Sequence, residues 1–186
     1  MAPSPVALLI VDVVNPFDFD GAEQLLPRAR SAAGPLAGLA QRARDEGVPV
    51  VYANDNFSDW TEGFEALVER CVRPGAPGRD VVQALRPRPG DYVVLKPMPS
   101  AFFQSPLETL LGRLGVETLV VAGFATDICV LATAIDAAMR GLRLVLPQDA
   151  SAAETEAAHR AALVHVRRVL HAETPPAAAV AFGVPA

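Results

Sequence analysis

Cysteine and histidine are scarce in these 186 residues, with two of the first and three of the second. Cys71 and Cys129 could close at most one disulfide. They stand far apart in unlike contexts, so a reducing, cytoplasmic setting is the simpler reading. His159, His165 and His171 all fall within the last helical pattern. A spacing of six spreads them around a helix, so they build no metal face, and no catalytic metal is expected. Clusters of Lys and Arg are missing too, and the net charge is −5. That balance excludes the electrostatic footprint of a nucleic-acid or anionic-membrane partner. The opening Met1-Ala2-Pro3-Ser4-Pro5 lacks a basic residue, and the apolar run after it stops at Asp12. Neither a signal peptide nor a membrane span is expected. No internal repeat is present.

What remains is globular. Hydrophobic residues make up 51% of the chain and charged ones 20%, enough to fill a core and too apolar for a disordered segment. The length suits one domain over 1–186. Val6 to Val14 reads as a buried strand interrupted by Asp12. Gln24 to Glu46 has helical periodicity broken at Gly34-Pro35 and ends at Gly47. Val48 to Ala53 is a second apolar run. The Gly-, Pro- and charge-rich stretch from Asn54 to Pro89 holds short helical pieces near Thr61–Cys71 and Asp80–Leu85, as a wall or lid would. Tyr92 to Leu95 is a third strand, closed by Lys96. Ser105-Pro106-Leu107-Glu108 has the form of an N-cap, a first-turn proline and a capping-box glutamate. Leu107, Leu110, Leu111 and Leu114 then form a helical stripe. Thr118–Ala122 and Leu142–Leu146 are strands on either side of a helix from Asp127 to Arg140. A last helix runs from about Ala152 to His171, with a short sixth strand after it. Strand and helix alternate throughout, so the fold class is α/β, with a parallel sheet covered by helices on both faces.

In such sheets, sites form at the carboxyl ends of the strands. Asp12, Lys96 and Cys129 occupy strand ends of that kind. Cys129 also stands near the first turn of a helix, where free N–H groups and the helix dipole favour a thiolate. Taken singly, each has a structural reading: an Asp that caps a helix, a Lys whose stem covers apolar surface, a Cys that packs. Taken together they form a chemical set. A carboxylate can take the thiol proton, an ammonium can hold both charges, and the turn Gly123-Phe124-Ala125-Thr126-Asp127-Ile128 can offer N–H groups to an oxyanion. Such parts support acyl transfer through a thioester.

Three segments carry a family resemblance: Leu8-Leu9-Ile10-Val11-Asp12-Val13-Val14-Asn15-Pro16-Phe17, Lys96-Pro97-Met98-Pro99-Ser100-Ala101-Phe102, and Gly123 to Val130 with Thr133-Ala134 beyond. In order and spacing they are similar to the isochorismatase-like cysteine hydrolase superfamily, which includes nicotinamidases, N-carbamoylsarcosine amidohydrolases and isochorismatases. The resemblance implies a three-layer α/β/α fold with a six-stranded sheet in the order 3-2-1-4-5-6. It implies an Asp12–Lys96–Cys129 triad and a cis peptide between Phe124 and Ala125. The N–H groups of Ala125 and Cys129 would form the oxyanion hole. In that order Lys96 starts two strands from Asp12, about 10 Å away, a gap that a long inward side chain can bridge. Metal-dependent nicotinamidases carry an Asp-x-His pair after the second strand. This chain has Asn54-Asp55-Asn56 there, which again points away from a metal. His159 matches a position often occupied by His in relatives, where a structural role is expected.

The resemblance places Phe17 in the substrate pocket. Asn15, Asn54, Phe57, Trp60, Phe102 and Phe124 are further candidates, whose alternative is ordinary packing. The expected activity is cofactor-free hydrolysis of a C–N bond in a small-molecule amide by a homo-oligomer, dimer or tetramer. Two rivals stand beside it: vinyl ether hydrolysis of the isochorismatase type, and a non-catalytic binding module on the same scaffold.

Overall fold

A computed structural model describes residues 4–55 and 61–183. The strands are β1 (Val6–Val11), β2 (Val50–Asp55), β3 (Tyr92–Lys96), β4 (Thr118–Phe124), β5 (Arg143–Val145) and β6 (Ser151–Ala152). The helices are α1 (Ala22–Asp45), α2 (Phe64–Val72), α3 (Arg79–Ala84), α4 (Leu107–Leu114), α5 (Leu131–Met139) and α6 (Glu156–Val169). All strand pairs are parallel and run in the order β3-β2-β1-β4-β5. β1 and β4 are buried along their whole length. Leu8 and Ile10 face one core with α1, while Ala7, Leu9 and Val11 face the other, which contains Leu107, Leu111 and Leu114 of α4. Burial on both faces is why these strands read as continuous apolar runs instead of alternating ones.

The sixth place in the sheet is marked by a single parallel bridge, Val145 to Glu173, after the last helix. The two-residue β6 lies elsewhere: it pairs with Gly123–Phe124 at the far end of β4, beyond the shorter β5. That use of Ser151 and Ala152 delays α6, which starts at Glu156 behind a cap in which Thr155 Oγ1 accepts from the Ala158 N–H at 3.1 Å.

Three local expectations change. Gly34-Pro35 does not break α1, which runs unbroken for 24 residues with Pro27 and Pro35 inside it. Its buried stripe from Leu25 through Ala32, Leu36 and Leu39 to Ala43 holds it to the sheet and outweighs the ~3 kcal/mol local cost of an interior proline. The capping box before α4 forms by halves. Ser105 Oγ accepts from the Leu107 N–H at 3.1 Å, but Glu108 turns away to pair with Arg140 at 2.9 Å. Finally, the helix after β4 opens as a π-helical turn over Thr126–Val130, in which the Val130 N–H reaches back to the Ala125 carbonyl at 3.1 Å. Among the described residues, no helix is long and apolar enough to cross a membrane.

Two glycines make opposite predictions. At Gly123 φ is +123°, and an added Cβ would stand 2.1 Å from the Val11 carbonyl oxygen. At Gly38, on the exposed side of α1, an added Cβ meets nothing within 4 Å. In urea unfolding, Gly123→Ala will cost more than about 2 kcal/mol, and Gly38→Ala will add about 0.5–1 kcal/mol.

Candidate active site

The sheet order puts β1 in the middle, with β2 and β3 to one side and β4 to the other. Each of the three contributes a side chain where it ends. β1 stops at Val11, and Asp12 follows in a left-handed conformation, φ 53°, while its N–H still bonds the Ala53 carbonyl at 3.0 Å. Lys96 is the last residue of β3, in register with Asp55 of β2. It is the only lysine in the chain and is fully buried. Its stem spans the width of β2, and Nζ stands 2.9 Å from Asp12 Oδ2. The gap of two strands is closed by the long side chain.

The ammonium has further partners. It donates to the Met98 carbonyl at 3.1 Å, lies 3.5 Å from Cys129 Sγ and is 3.6 Å from Asp55 Oδ2. The second oxygen of Asp12 accepts from the Asp55 N–H at 2.7 Å. Asp12 is thus held from both sides, with one oxygen on a backbone donor and the other on a cation.

Burial sets the electrostatics. It raises the Asp12 carboxyl above its ordinary 3.8, against the opposing pull of Lys96 and of its hydrogen bonds. For Lys96, burial works to lower the pKa, but the combined attraction of Asp12, Cys129 and Asp55 leaves it above its ordinary value. The Cys129 thiol is pushed up to about 12, first by burial and then by the adjacent Asp12 charge, with Lys96 opposing. The expected low-pKa thiolate is therefore corrected. Desolvation and the neighbouring carboxylate outweigh the cation and the helix start, and the resting site holds an ion pair beside a neutral thiol. Cys71, in the core, is pushed to about 11, also mainly by burial.

Cys129 is carried by the turn after β4. The Phe124–Ala125 peptide is cis. The π-helical turn that follows brings Cys129 back toward it, with the Ile128 and Val130 N–H groups both bonded to the Ala125 carbonyl. Gly123 permits the close approach to Val11 and donates to Ser151 Oγ at 3.1 Å. His159 pins the turn from outside. Its Nε2 lies 3.0 Å from the Gln148 carbonyl and its Nδ1 2.8 Å from the buried Thr126 hydroxyl. On the other flank Thr133 Oγ1 accepts from the Ala101 N–H at 3.0 Å and ties α5 to the loop after β3.

A hollow of about 130 Å³ opens over the sulfur. Of the residues expected in it, Asp12, Asn15, Phe124, Ala125 and Cys129 line it. Three others do not. Phe17, whose backbone is left-handed at φ 53°, is buried in the α1-side core with its ring against Gly78. Asn54 is consumed by a clamp on Val14, accepting from its N–H at 3.0 Å and donating to its carbonyl at 2.9 Å. Phe102 packs in the opposite core with the Arg140 guanidinium 4.6 Å above its ring. Phe57 and Trp60 lie outside the described residues. Phe19, Leu25, Ile128 and Glu154, for which no pocket role was expected, also line the hollow. Phe19 was findable as the next aromatic after Phe17, whereas Glu154 arrives from the β6–α6 connection with no local signal. Among the described residues, no group of three or more His, Cys, Asp or Glu side chains is placed to hold a metal ion.

Comparison with known proteins agrees with this architecture. The family model of the isochorismatase domain matches residues 6–175. An uncharacterized isochorismatase family protein of Bacillus subtilis, YaaI, is 34% identical over 173 residues, covering 93% of this chain and 94% of its own. The maleamate amidohydrolase of Pseudomonas putida is 34% identical over 151 residues, 77% of this chain and 70% of its own. The crystal structure of N-carbamoylsarcosine amidase from Thermoplasma acidophilum superposes with a TM-score of 0.73 at 30% identity, over 97% of this chain and 99% of that one. The chain belongs to the isochorismatase family.

The elevated thiol makes a prediction for the free protein. Iodoacetamide will alkylate Cys129 slowly at neutral pH, and the rate will keep climbing past about pH 10, a unit above the ordinary thiol value of 9.0, where an ordinary thiol has nearly levelled off. A rate already at its plateau at pH 7 would mean a preformed thiolate and overturn the electrostatic account.

Proposed function

We propose that this member of the isochorismatase family hydrolyses the C–N bond of a small amide through a thioester on Cys129. The observation that carries the reading is the meeting of Lys96 Nζ with both Asp12 Oδ2, at 2.9 Å, and Cys129 Sγ, at 3.5 Å, beside an open hollow. The relatives named as amidohydrolase and amidase support the reaction class.

The steps follow from the electrostatics. At rest the thiol is neutral, so attack and proton transfer are coupled. Asp12 takes the S–H proton as the sulfur bonds the amide carbon, and its raised pKa makes it a stronger base than a surface aspartate. Negative charge moves onto the carbonyl oxygen, where the N–H groups of Ala125 and Cys129 receive it. Collapse breaks the C–N bond, and the leaving nitrogen departs with the proton from Asp12. Water then attacks the thioester, loses a proton to Asp12 and releases the acid, and the proton returns to sulfur. Throughout, Lys96 holds a fixed positive charge beside whichever neighbour is anionic. These steps need no cofactor.

Two variants test it. Cys129→Ala, which leaves the sheet ends intact, will lower ammonia release from a good amide substrate by about 10³-fold or more at unchanged fold by circular dichroism. Release at the wild-type rate would end the proposal. The acid limb of kcat/KM reports the ionisation of Asp12, so it will lie above 3.8, with activity lost as pH falls through the raised pKa. In Lys96→Met the cation that lowers that pKa is gone, so the limb will move further toward neutrality as kcat falls. A limb that stays in place would show that Asp12 is not the base.

A further inference from the structure

Glu154 is the unexplained group in the hollow. It comes from the connection between β6 and α6 and lines the same space as Cys129 and Asp12. Its carboxylate is pressed over Gly21: a Cβ built on that glycine would stand 2.7 Å from Cδ and Oε1 and 2.9 Å from Oε2. The glycine, at φ +97°, leaves the room that the carboxylate fills. The nearby Arg28 makes no ion pair with it; its Nε donates to the backbone carbonyl of Glu154 at 3.2 Å. Among the described residues no cation pairs with the Glu154 side chain.

The other walls do not compensate. Phe19, Leu25, Phe124 and Ile128 are apolar, Asn15 is neutral, and among the described residues no Arg or Lys lines the hollow. The positive charge of Lys96 is buried beneath the site and already matched by Asp12. Among the described lining residues a ligand therefore meets a half-buried carboxylate that makes no ion pair, in a largely apolar setting that attracts a cation and offers an anion no partner.

We infer that Glu154 is a specificity residue, and that the amide taken by Cys129 carries a protonated amine, not a carboxylate, at its non-reacting end. The inference rests on the proposed hydrolysis for the word amide, but the charge preference of the hollow stands apart from turnover. The volume of about 130 Å³ is slightly below the ~150 Å³ of a cavity that accepts benzene, so the bound portion is about six non-hydrogen atoms. An ω-amino amide of short chain fits that description.

Three probes of similar size test it by ammonia release: β-alaninamide, a cation; butyramide, neutral; and malonamate, an anion. Wild-type kcat/KM will favour β-alaninamide over malonamate by at least about tenfold, a modest ion-pair effect. Glu154→Gln will reduce that ratio by about tenfold or more, and Glu154→Lys will invert it. A second readout needs no turnover. Cys129 will react with 2-aminoethyl methanethiosulfonate faster than with the 2-sulfonatoethyl reagent, by a ratio exceeding that of mercaptoethanol, and Glu154→Gln will bring the two ratios together. Mass spectrometry assigns the labelled cysteine. A carboxylate that only steadies the start of α1 would change urea stability and leave both ratios alone. Butyramide turnover with ratios unmoved by Glu154→Gln overturns the inference and leaves the hydrolase reading standing. If none of the three amides is hydrolysed, the labelling ratio still decides the inference, while the hydrolase reading is the one that suffers.

Discussion

The ion pair between Lys96 and Asp12 is the constraint on which the site depends. Both groups are withdrawn from water, at a cost of several kcal/mol for each ion in a protein interior. One contact does not offset that. The ammonium has a carboxylate at 2.9 Å and a carbonyl at 3.1 Å, and the carboxylate has a backbone donor at 2.7 Å on its other oxygen. Those partners come from β1, β2, β3 and the loop after β3, so the pair is satisfied only when the strands stand in their observed register. A slip of one residue in β3 would turn Lys96 to the other face of the sheet and leave Asp12 buried without a cation. Register and chemistry are therefore one requirement.

In the proposed reaction, the same arrangement keeps the thiol protonated until a carbonyl arrives. A thiolate beside Asp12 would put two negative charges against one lysine in a dry site, and the protein resolves this by keeping the proton on sulfur. In the proposed attack the charge that appears moves onto an oxygen instead, away from Asp12 and toward the turn. Much of the local structure serves that turn: the glycine at 123, the π-helical start of the following helix, and the Thr126–His159–Gln148 chain that braces it from α6.

The fold was legible because its strands are buried on both faces and leave uninterrupted apolar runs, separated by helical stripes. Asp12, Lys96 and Cys129 were legible because chemistry placed where a run ends has few structural excuses. Lys96 stands out further as the single lysine among fifteen arginines, a sign that this position demands a point charge on a flexible stem, not a planar fork. The pocket walls were harder to read. Phe19 lines the hollow where Phe17 was expected, and Asn54 and Phe102 are used up by a backbone clamp and by Arg140, partners that local sequence cannot reveal. Glu154 reaches the hollow through tertiary folding alone. Burial also reversed the expected direction of the thiol pKa, because helix position is visible in a sequence and desolvation is not.

The central claim is that Cys129 sulfur, relieved of its proton by Asp12, becomes bonded to the acyl carbon of the substrate. Acid-quenching the protein during turnover of an amide, followed by intact-mass and peptide mass spectrometry, tests this most directly. The account predicts a mass increase equal to the acyl group, confined to the peptide bearing Cys129 and lost in Cys129→Ala. Product formation with no adduct on that cysteine under conditions that preserve thioesters, or an adduct elsewhere, would contradict it.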